Sequence, residues 1–279
     1  MKKITRRSFL AAAGLTAAAL ALTACGGSSS STASSTASSA AASSEAASSS
    51  AAAELTTVEA GKLTMATNAA FPPYEMTTDA GEFEGIDIDT AKAIAEKLGL
   101  ELQIDDMDFD AALLSVQQGK ADIVMAGVTV TDERKAVMDF SDSYATGIQS
   151  IIVPEGSDIT SPDDLAGKKI GTQRGTTGYI YCSDDFGDDA VVAYDDGLTA
   201  VQALKNGQVD AVVIDNAPAK EFVAANPGLV ILDTSYAEED YAIGLAKGSS
   251  LEDAVNAALE ELKADGTLQS IVDKYITAE

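Results

Sequence analysis

Strand-like and helix-like stretches alternate along the chain after Leu55, and this alternation limits the fold more than any other feature. Alternating apolar residues predict a strand at 62–67, and helical spacing of apolar residues predicts a helix that Gly99 ends. A short strand is predicted just before that helix, at 86–88. Further strands are predicted at 101–106, 122–126, 169–172, 191–194 and 211–214. With helices predicted at 110–118 and near the end of the chain, the pattern is typical of an α/β fold with parallel strands.

One helix-to-strand segment occurs twice, 88 residues apart. AALLSVQQGKADIVMAG at 111–127 and TAVQALKNGQVDAVVID at 199–215 each contain a predicted helix, a glycine, an aspartate three residues later and an apolar strand. The repetition predicts two lobes in which helices and strands are connected in a similar order. In open α/β sheets ligands bind beyond the carboxyl ends of the strands, so two such lobes facing each other predict a cleft for a small molecule.

The two copies place opposite charges at their strand ends. Arg134, one of only two arginines after residue 25, follows the strand of the first copy, and its planar guanidinium matches a carboxylate. Asp215 ends the apolar strand of the second copy and needs a cationic partner if it is buried. A cation on one side and a carboxylate on the other match the two charges of a free α-amino acid.

Other residues near the predicted strand ends complete this hypothetical site. N–H groups of the loop GTQRGTTG at 171–178 suit an anion, and three aromatic residues supply apolar walls: Phe71, Tyr74 and Phe109. Structural alternatives stay open at this stage. Arg134 could pair with an acid on the surface (Asp132, Glu133 or Asp139), Asp215 could cap a helix that starts near Pro218, and Phe71 could fill the core.

The first 57 residues are predicted to serve export and attachment. Residues 1–25 have a basic start and a short apolar stretch, which is typical of a signal peptide. LTAC at 22–25 resembles a lipobox, so Cys25 is expected to carry lipid; an ordinary signal cleaved nearby is the alternative. TRRSFL at 5–10 leaves twin-arginine export open beside the general route. The Ser/Ala-rich residues 26–57 are predicted to form a flexible tether.

Charge and composition exclude several classes of function. The chain without its first 25 residues keeps 14 basic and 44 acidic residues, a formal charge of −30, which argues against nucleic acid and anionic lipid as partners. The absence of histidine excludes His-based catalytic triads and His metal ligands, and no metal or other cofactor is expected. Cys182 is interpreted as a passive thiol.

Seven stretches of the chain form a recognisable series. Five are motifs, TNAAFPPYEM, GIDIDTAKAIAEKLG, GKADIVMAGVTVTDERKAVMDFSDSY, LAGKKIGTQRGTTG and VDAVVIDNAPAKEFV, and two are closing segments, YAIGLAKGSS and ELKADGTLQSIVDKY. In this order they resemble the family 3 extracellular solute-binding proteins, the amino-acid receptors of ABC importers. The similarity covers about residues 62–275.

The resemblance implies a periplasmic-binding-protein-like fold, with two α/β lobes joined by two crossing hinge strands. Lobe 1 would comprise 62–144 and 242–279, and lobe 2 would comprise 149–236. The crossings would fall near 144–148 and 237–241.

The resemblance also implies roles for individual residues. The arginine of TDER, here Arg134, would clamp the ligand carboxylate with help from Thr129 and the N–H of Thr177. The aspartate of VID, here Asp215, would hold the ammonium together with the Thr129 hydroxyl and the Gly127 carbonyl. The positions that would line the side-chain pocket are Asn68, Phe71, Phe109 and Gln173.

The pocket residues bear on the class of ligand. Many family members carry an acid where this chain has Asn68, so a neutral amino acid, polar ones first, is favoured. Glu75, Asp106 or Asp108 could still supply a negative charge for a cationic ligand, and Arg174 could enter the cleft and favour an acidic one.

The resemblance implies a non-catalytic receptor that binds a free amino acid and delivers it to an ABC permease and its ATPase by hinge closure. The receptor is expected to be a monomer on the extracytoplasmic face of the cell membrane, anchored only by lipid at Cys25. Two alternatives stay open: an enzyme on the same fold, such as a cyclohexadienyl-type dehydratase with Glu75 or Asp108 as general acid, and a sensory amino-acid-binding module.

Overall fold

The computed structural model describes residues 55–276, which form two central sheets, one small sheet and the helices packed against them. The strands are β1 Lys62–Thr67, β2 Ala70–Phe71, β3 Glu75–Thr77, β4 Phe83–Glu84, β5 Glu101–Asp106, β6 Ile123–Val124, β7 Met138–Phe140, β8 Ala145–Pro154, β9 Ile170–Gln173, β10 Val191–Tyr194, β11 Ala211–Asp215, β12 Leu229–Ile231, β13 Ala237–Tyr241 and β14 Gly244–Ala246. The α-helices are α1 Ile86–Leu98, α2 Phe109–Gln117, α3 Asp132–Lys135, α4 Thr177–Phe186, α5 Gly197–Lys205, α6 Asn216–Ala225, α7 Glu252–Ala264 and α8 Thr267–Tyr275, with 3₁₀ turns at Pro162–Leu165 and Asp188–Ala190.

The first sheet has the strand order β5-β1-β6-β14-β7. Strand β1 runs parallel to both β5 and β6, whereas β14 returns from the end of the chain and pairs antiparallel with β6 and β7. Fully buried Leu63, Met65 and Ile123 pack from this sheet into a core that also takes in residues of α1 and α7. The C-terminal helices therefore complete a lobe that begins near the start of the described chain.

The second sheet has the strand order β10-β9-β11-β8-β12, with β13 also paired to β8. Strand β9 is parallel to β10 and β11, and β8 is antiparallel to β11, β12 and β13. The two sheets, each with its own helices, are the two lobes that the sequence predicts, and the predicted fold class is confirmed.

Two antiparallel strands, β8 and β13, connect the lobes. Their register pairs Ala145 with Tyr241 and Gln149 with Ala237. The chain enters β8 from the first sheet and leaves β13 towards β14, back in the first sheet. Tyr241 is fully buried at this crossing, and its ring lies against Gly147 so closely that a Cβ there would come within 2.5 Å of ring carbons.

Helix α1 corrects one prediction from the sequence. Residues 86–88, predicted as a short strand, form the first turn of α1 instead. Ile86, Asp87 and Ile88 are all buried, so the alternation of apolar and acidic residues does not mark one buried and one exposed face as it would in a strand. Gly99 ends the helix in the left-handed conformation, as predicted.

Other boundaries differ little from prediction. The strand predicted at 122–126 is reduced to Ile123–Val124, the helix predicted at 110–118 begins at Phe109, and the strand at 191–194 is confirmed. Cys182 is buried among apolar side chains, and this burial raises the pKa of its thiol to about 12, in keeping with a passive thiol.

The predicted signal peptide, the lipidation site Cys25 and nearly all of the predicted tether lie outside the described residues. Within residues 55–276, no helix has the length and apolar character that crossing a membrane requires.

Candidate functional site

All nine residues predicted to bind ligand line one cavity between the lobes. Each of the nine is buried. The first lobe contributes Asn68, Phe71, Phe109, Gly127, Thr129 and Arg134, and the second contributes Gln173, Thr177 and Asp215. Glu75, Ala126 and Thr176 also line the cavity and were not among the predicted ligand-binding residues.

Arg134 lies in the short helix α3, where Thr131 caps the first turn by accepting a hydrogen bond from the Arg134 N–H. Its side chain is 7% exposed, and its guanidinium lies 5.3 Å from the centre of the Phe109 ring. Nη1 donates to the Thr129 carbonyl at 2.7 Å and Nη2 donates to the Gly175 carbonyl, in the other lobe, at 3.1 Å. Burial lowers the pKa of the guanidinium without threatening its charge.

The surface alternative for Arg134 is therefore wrong. Among the described residues no acid forms an ion pair with Arg134, and Asp139 pairs with Lys247 instead. A cation that is buried without a carboxylate partner is costly, and it is suited to receive an anion from a ligand.

Asp215 ends β11 and occupies the N-cap position of α6, but its side chain makes no capping hydrogen bond, so the capping alternative is also wrong. Oδ2 accepts from Gln149 Nε2 at 2.8 Å, and Oδ1 has no hydrogen-bond partner among the described residues. Burial raises the pKa of the carboxyl to about 7. The half-satisfied carboxylate would gain from a cationic group in the cavity.

Thr177 begins α4, where helix N–H groups have no partner inside the helix. The preceding loop places Gly175 beside Arg134 and Thr176 at the N-cap, where it accepts from the Tyr179 N–H. The donors of this helix terminus and the guanidinium of Arg134 belong to opposite lobes and line the same cavity.

A buried acid on the crossing strand, Glu239, escaped the sequence analysis. Its Oε2 accepts hydrogen bonds from the Thr129 hydroxyl at 3.1 Å, the Thr177 hydroxyl at 3.0 Å and Gln149 Nε2 at 3.0 Å. One carboxylate oxygen on β13 thus contacts both lobes and the other crossing strand, β8. Glu239 belongs to the acidic stretch EED, which is typical of an exposed surface. Its burial follows only from the alternation along β13, in which every second residue faces the interior.

The side-chain end of the cavity has amides and aromatic rings. Gln173 Nε2 donates to Asn68 Oδ1 at 2.8 Å across the two lobes, and Asn68 Nδ2 donates to the Met107 carbonyl at 2.9 Å. Phe71 and Phe109 form apolar walls, as predicted. Tyr74 does not: it lies outside this cavity and packs edge-on against Tyr241 under the hinge, with ring centres 5.3 Å apart.

Gly127 follows β6 with a φ of +56°, a conformation that favours glycine. A Cβ at Gly127 would come within 2.9 Å of the Phe71 ring. Its N–H donates to Asp87 Oδ2 at 3.0 Å, and the Tyr144 hydroxyl donates to Asp87 Oδ1 at 2.7 Å. Asp87 thereby fixes the glycine turn at the cavity, although burial raises its pKa to about 6.

Arg174 does not line the cavity. Its side chain is half exposed, and its Nε lies 3.6 Å from a carboxylate oxygen of Asp195 at the surface. Among the described residues, Arg134 is the single cation that lines the cavity, whereas Glu75 and Asp215 line it with carboxyl groups. The carboxylate of Glu239 lies just behind Thr129. The arrangement can hold a small molecule that bears both a negative and a positive group.

The family model described as bacterial extracellular solute-binding proteins, family 3, matches residues 63–278 of the chain. The L-cystine-binding protein TcyJ of Escherichia coli is 33% identical over 226 residues, and the match covers 79% of this chain and 85% of that protein.

Solved structures agree in fold. The arginine-, lysine-, histidine-binding protein ArtJ of Geobacillus stearothermophilus superposes with a TM-score of 0.75 at 34% identity, covering 78% of this chain and 96% of that one. An ancestral arginine-binding protein bound to glutamine superposes with a TM-score of 0.75 at 43% identity, covering 79% of this chain and all of that one (100%).

Proposed function

The chain belongs to the bacterial extracellular solute-binding proteins of family 3, and from that premise we propose that it is an extracytoplasmic receptor for a free amino acid. It delivers this ligand to the permease and ATPase of an ABC importer and performs no chemistry on it.

One observation carries the proposal: buried Arg134 and half-satisfied Asp215 reach the same cavity from opposite lobes. A free α-amino acid has a carboxylate for the arginine and an ammonium for the aspartate. Each charged group of the ligand would replace the water that the corresponding side chain loses on burial. The resulting charge-assisted hydrogen bonds are stronger than hydrogen bonds between neutral groups.

The remaining contacts divide between the two ends of the ligand backbone. The N–H of Thr177 supports the carboxylate together with Arg134. The Thr129 hydroxyl gives its proton to Glu239, so its lone pairs are left to accept from the ligand ammonium beside Asp215. The Gly127 carbonyl completes this second group of acceptors.

Hinge closure couples binding to delivery. The lobes touch through Arg134 and Gly175 and through Asn68 and Gln173, and these contacts would break when β8 and β13 bend. A ligand that touches both lobes binds the closed state better than the open one and so raises its population. The permease would recognise the closed surface.

The finer assignments belong to the same proposal. The hinges fall near 144–148 and 237–241, lobe 1 comprises 62–144 and 242–279, and lobe 2 comprises 149–236. The protein acts as a monomer, is tethered by residues 26–57 and is anchored by lipid at Cys25.

Calorimetric titration of the chain without residues 1–25 against the twenty amino acids, cystine and ornithine tests the proposal. The protein should first be unfolded, dialysed and refolded, because a co-purified ligand would mask binding. One-to-one binding of one or a few amino acids, recovered unchanged by mass spectrometry, is expected. No binding to any of them, or conversion of the bound compound, would contradict it.

A further inference from the structure

Two buried carboxyl groups lie side by side at the wall of the ligand cavity. Glu75 in β3 and Asp87 in the first turn of α1 are both fully buried. The Asp87 N–H donates to the Tyr74 carbonyl at 2.9 Å, which holds the start of α1 against the hairpin, and the two carboxyl groups are hydrogen-bonded to each other. Since an ionised carboxyl group can only accept hydrogen bonds, one of the two must carry a proton.

The contacts of Asp87 make it the ionised member of the pair. Its Oδ2 accepts from the Gly127 N–H at 3.0 Å, and its Oδ1 accepts from the Tyr144 hydroxyl at 2.7 Å. It also lies at the N-terminus of a helix, where a negative charge is favoured. Among the described residues no donor gives a hydrogen bond to the oxygens of Glu75. The proton therefore belongs to Glu75, which donates it to Asp87.

The surroundings keep this proton on Glu75. Burial raises the pKa of the Glu75 carboxyl well above its ordinary value, and the charges of Asp87, Asp215 and Asp106 act in the same direction. Burial also raises the pKa of Asp87, but its hydrogen bond with Glu75 acts in the opposite direction. Arg134 lines the same cavity, but both of its terminal nitrogens already donate to backbone carbonyls.

Asp87 connects the cavity wall to the crossing strands. Gly127, which donates to it, lines the cavity in a conformation that favours glycine. Tyr144 directly precedes β8, and its N–H donates to the carbonyl of Tyr241, the last residue of β13, at 3.0 Å. Burial raises the pKa of the Tyr144 hydroxyl well above its ordinary value, so this hydroxyl remains a donor. One carboxylate thus holds a turn at the ligand cavity and a residue at the point where both crossing strands meet the first lobe.

From this geometry we infer that Glu75 is a positioning residue: as a neutral acid it donates its proton to Asp87, and through Asp87 it fixes the Gly127 turn and Tyr144 for ligand binding. The inference rests on the proposed receptor function and deepens it, because the Gly127 carbonyl is there assigned to the ligand ammonium. Ionising Glu75 would place two negative charges side by side without water, and their repulsion would press the hairpin away from α1.

The protonation of Glu75 can be measured without any ligand. The refolded receptor without residues 1–25 should be labelled with carbon-13 at the side-chain carboxyl of glutamate, so that aspartates give no signal. The carboxyl signal of Glu75 is the one that Glu75→Gln removes, and Glu82→Gln, in the exposed turn between β3 and β4, identifies a reference signal. At pH 7 the Glu75 signal should have the chemical shift of a neutral carboxyl group. The shift of an ionised carboxylate at this pH would overturn the inference.

Ligand binding tests whether the donated proton matters. The ligand is whichever of the twenty amino acids, cystine and ornithine the wild type binds most tightly by calorimetry. Glu75→Met should weaken its binding by about tenfold or more, because Asp87 loses a donor. Glu75→Gln should recover the affinity to within about threefold of the wild type, since the amide N–H can donate in place of the acid. Glu82→Met is the matched control for the loss of a glutamate and should bind like the wild type.

The comparison of glutamine with methionine separates donation from packing, because the two side chains have similar lengths. If both variants bind equally well, whether tightly or weakly, donation by residue 75 does not position the site, although the receptor function stands. If no amino acid binds the wild type, the receptor function fails, and the part of the inference that concerns ligand binding fails with it. The carboxyl signal would in that case still decide whether Glu75 donates to Asp87.

Discussion

The side chain of Gln173 donates a hydrogen bond to Asn68 Oδ1 across 2.8 Å, and the two residues belong to different lobes. Gln173 is the last residue of β9, and Asn68 follows β1, so one side-chain contact closes the gap between the carboxyl ends of both sheets. Both side chains are buried, so we expect the contact to contribute to the closure of the lobes as well as to the shape of the pocket.

Gln173→Ala should shift the receptor towards the open state. A hydrogen bond contributes about 0.5–1.5 kcal/mol net, so the dissociation rate of the ligand should rise by roughly 2- to 13-fold. Stopped-flow measurement of ligand release checks this, and small-angle scattering would report the opening. Gln269→Ala, on the exposed face of α8, serves as the control. An unchanged release rate in Gln173→Ala would contradict a role in closure.

Arg134→Ala should weaken binding by about 2–5 kcal/mol, because it leaves the ligand carboxylate buried without its cation. Arg134→Lys should recover only part of this loss, since lysine cannot reproduce the planar fork. Arg174→Ala is the matched control: it removes the other arginine of the folded region, and Arg174 lies at the surface. Calorimetry should measure the ligand affinity of the three variants. If Arg134→Ala bound the ligand as tightly as the wild type, Arg134 would not bind the ligand carboxylate.

The stability of the ligand-free protein should depend on pH through Asp215. Its carboxyl has an ordinary pKa of 3.8 and a pKa of about 7 when folded, so between these values the folded protein holds a proton that the unfolded chain has lost. The stabilisation is therefore complete below about pH 4 and is lost as the pH rises towards 7. Across this window the wild type should lose up to about 1.4 kcal/mol per pH unit relative to Asp215→Asn.

Urea unfolding of the refolded proteins between pH 4.5 and 7.5 measures this difference. The charge of Asp215 also raises the pKa of Glu75, so the comparison reports the direct effect of Asp215 together with its effect on Glu75. Parallel stability curves for the wild type and Asp215→Asn would show that the Asp215 carboxyl keeps an ordinary pKa in the fold.

Gly147→Ala should destabilise the crossing strands by about 1–3 kcal/mol, because the added Cβ would press on the Tyr241 ring at 2.5 Å. Thr146→Ala, at the exposed neighbouring position, should have little effect. Thermal unfolding of the two variants compares them directly. Equal melting temperatures would mean that the crossing strands accommodate the extra methyl group without a loss of stability.

The sequence predicts which residues line this cavity because its principal charges follow strands. Two apolar stretches repeat 88 residues apart; Asp215 ends one of them, and Arg134 lies a short loop beyond the other. The carboxyl ends of strands in each lobe meet at the cleft. Local spacing could not locate Glu239, because an acid among acids looks solvated until the pairing of β13 with β8 buries every second residue. Nor could it show that Tyr74 turns away from the cleft while the adjacent hairpin turns Glu75 towards it, since that depends on how β2 and β3 pair.

Glu239 accepts from Thr129, Thr177 and Gln149 through a single oxygen, on a strand that the protein must bend to open. The contact between the lobes is thus built from hydroxyl groups that also line the cavity. If these hydroxyl groups contact the ligand as proposed, we expect substitutions that change the preference for one amino acid over another to change the rate of ligand release as well.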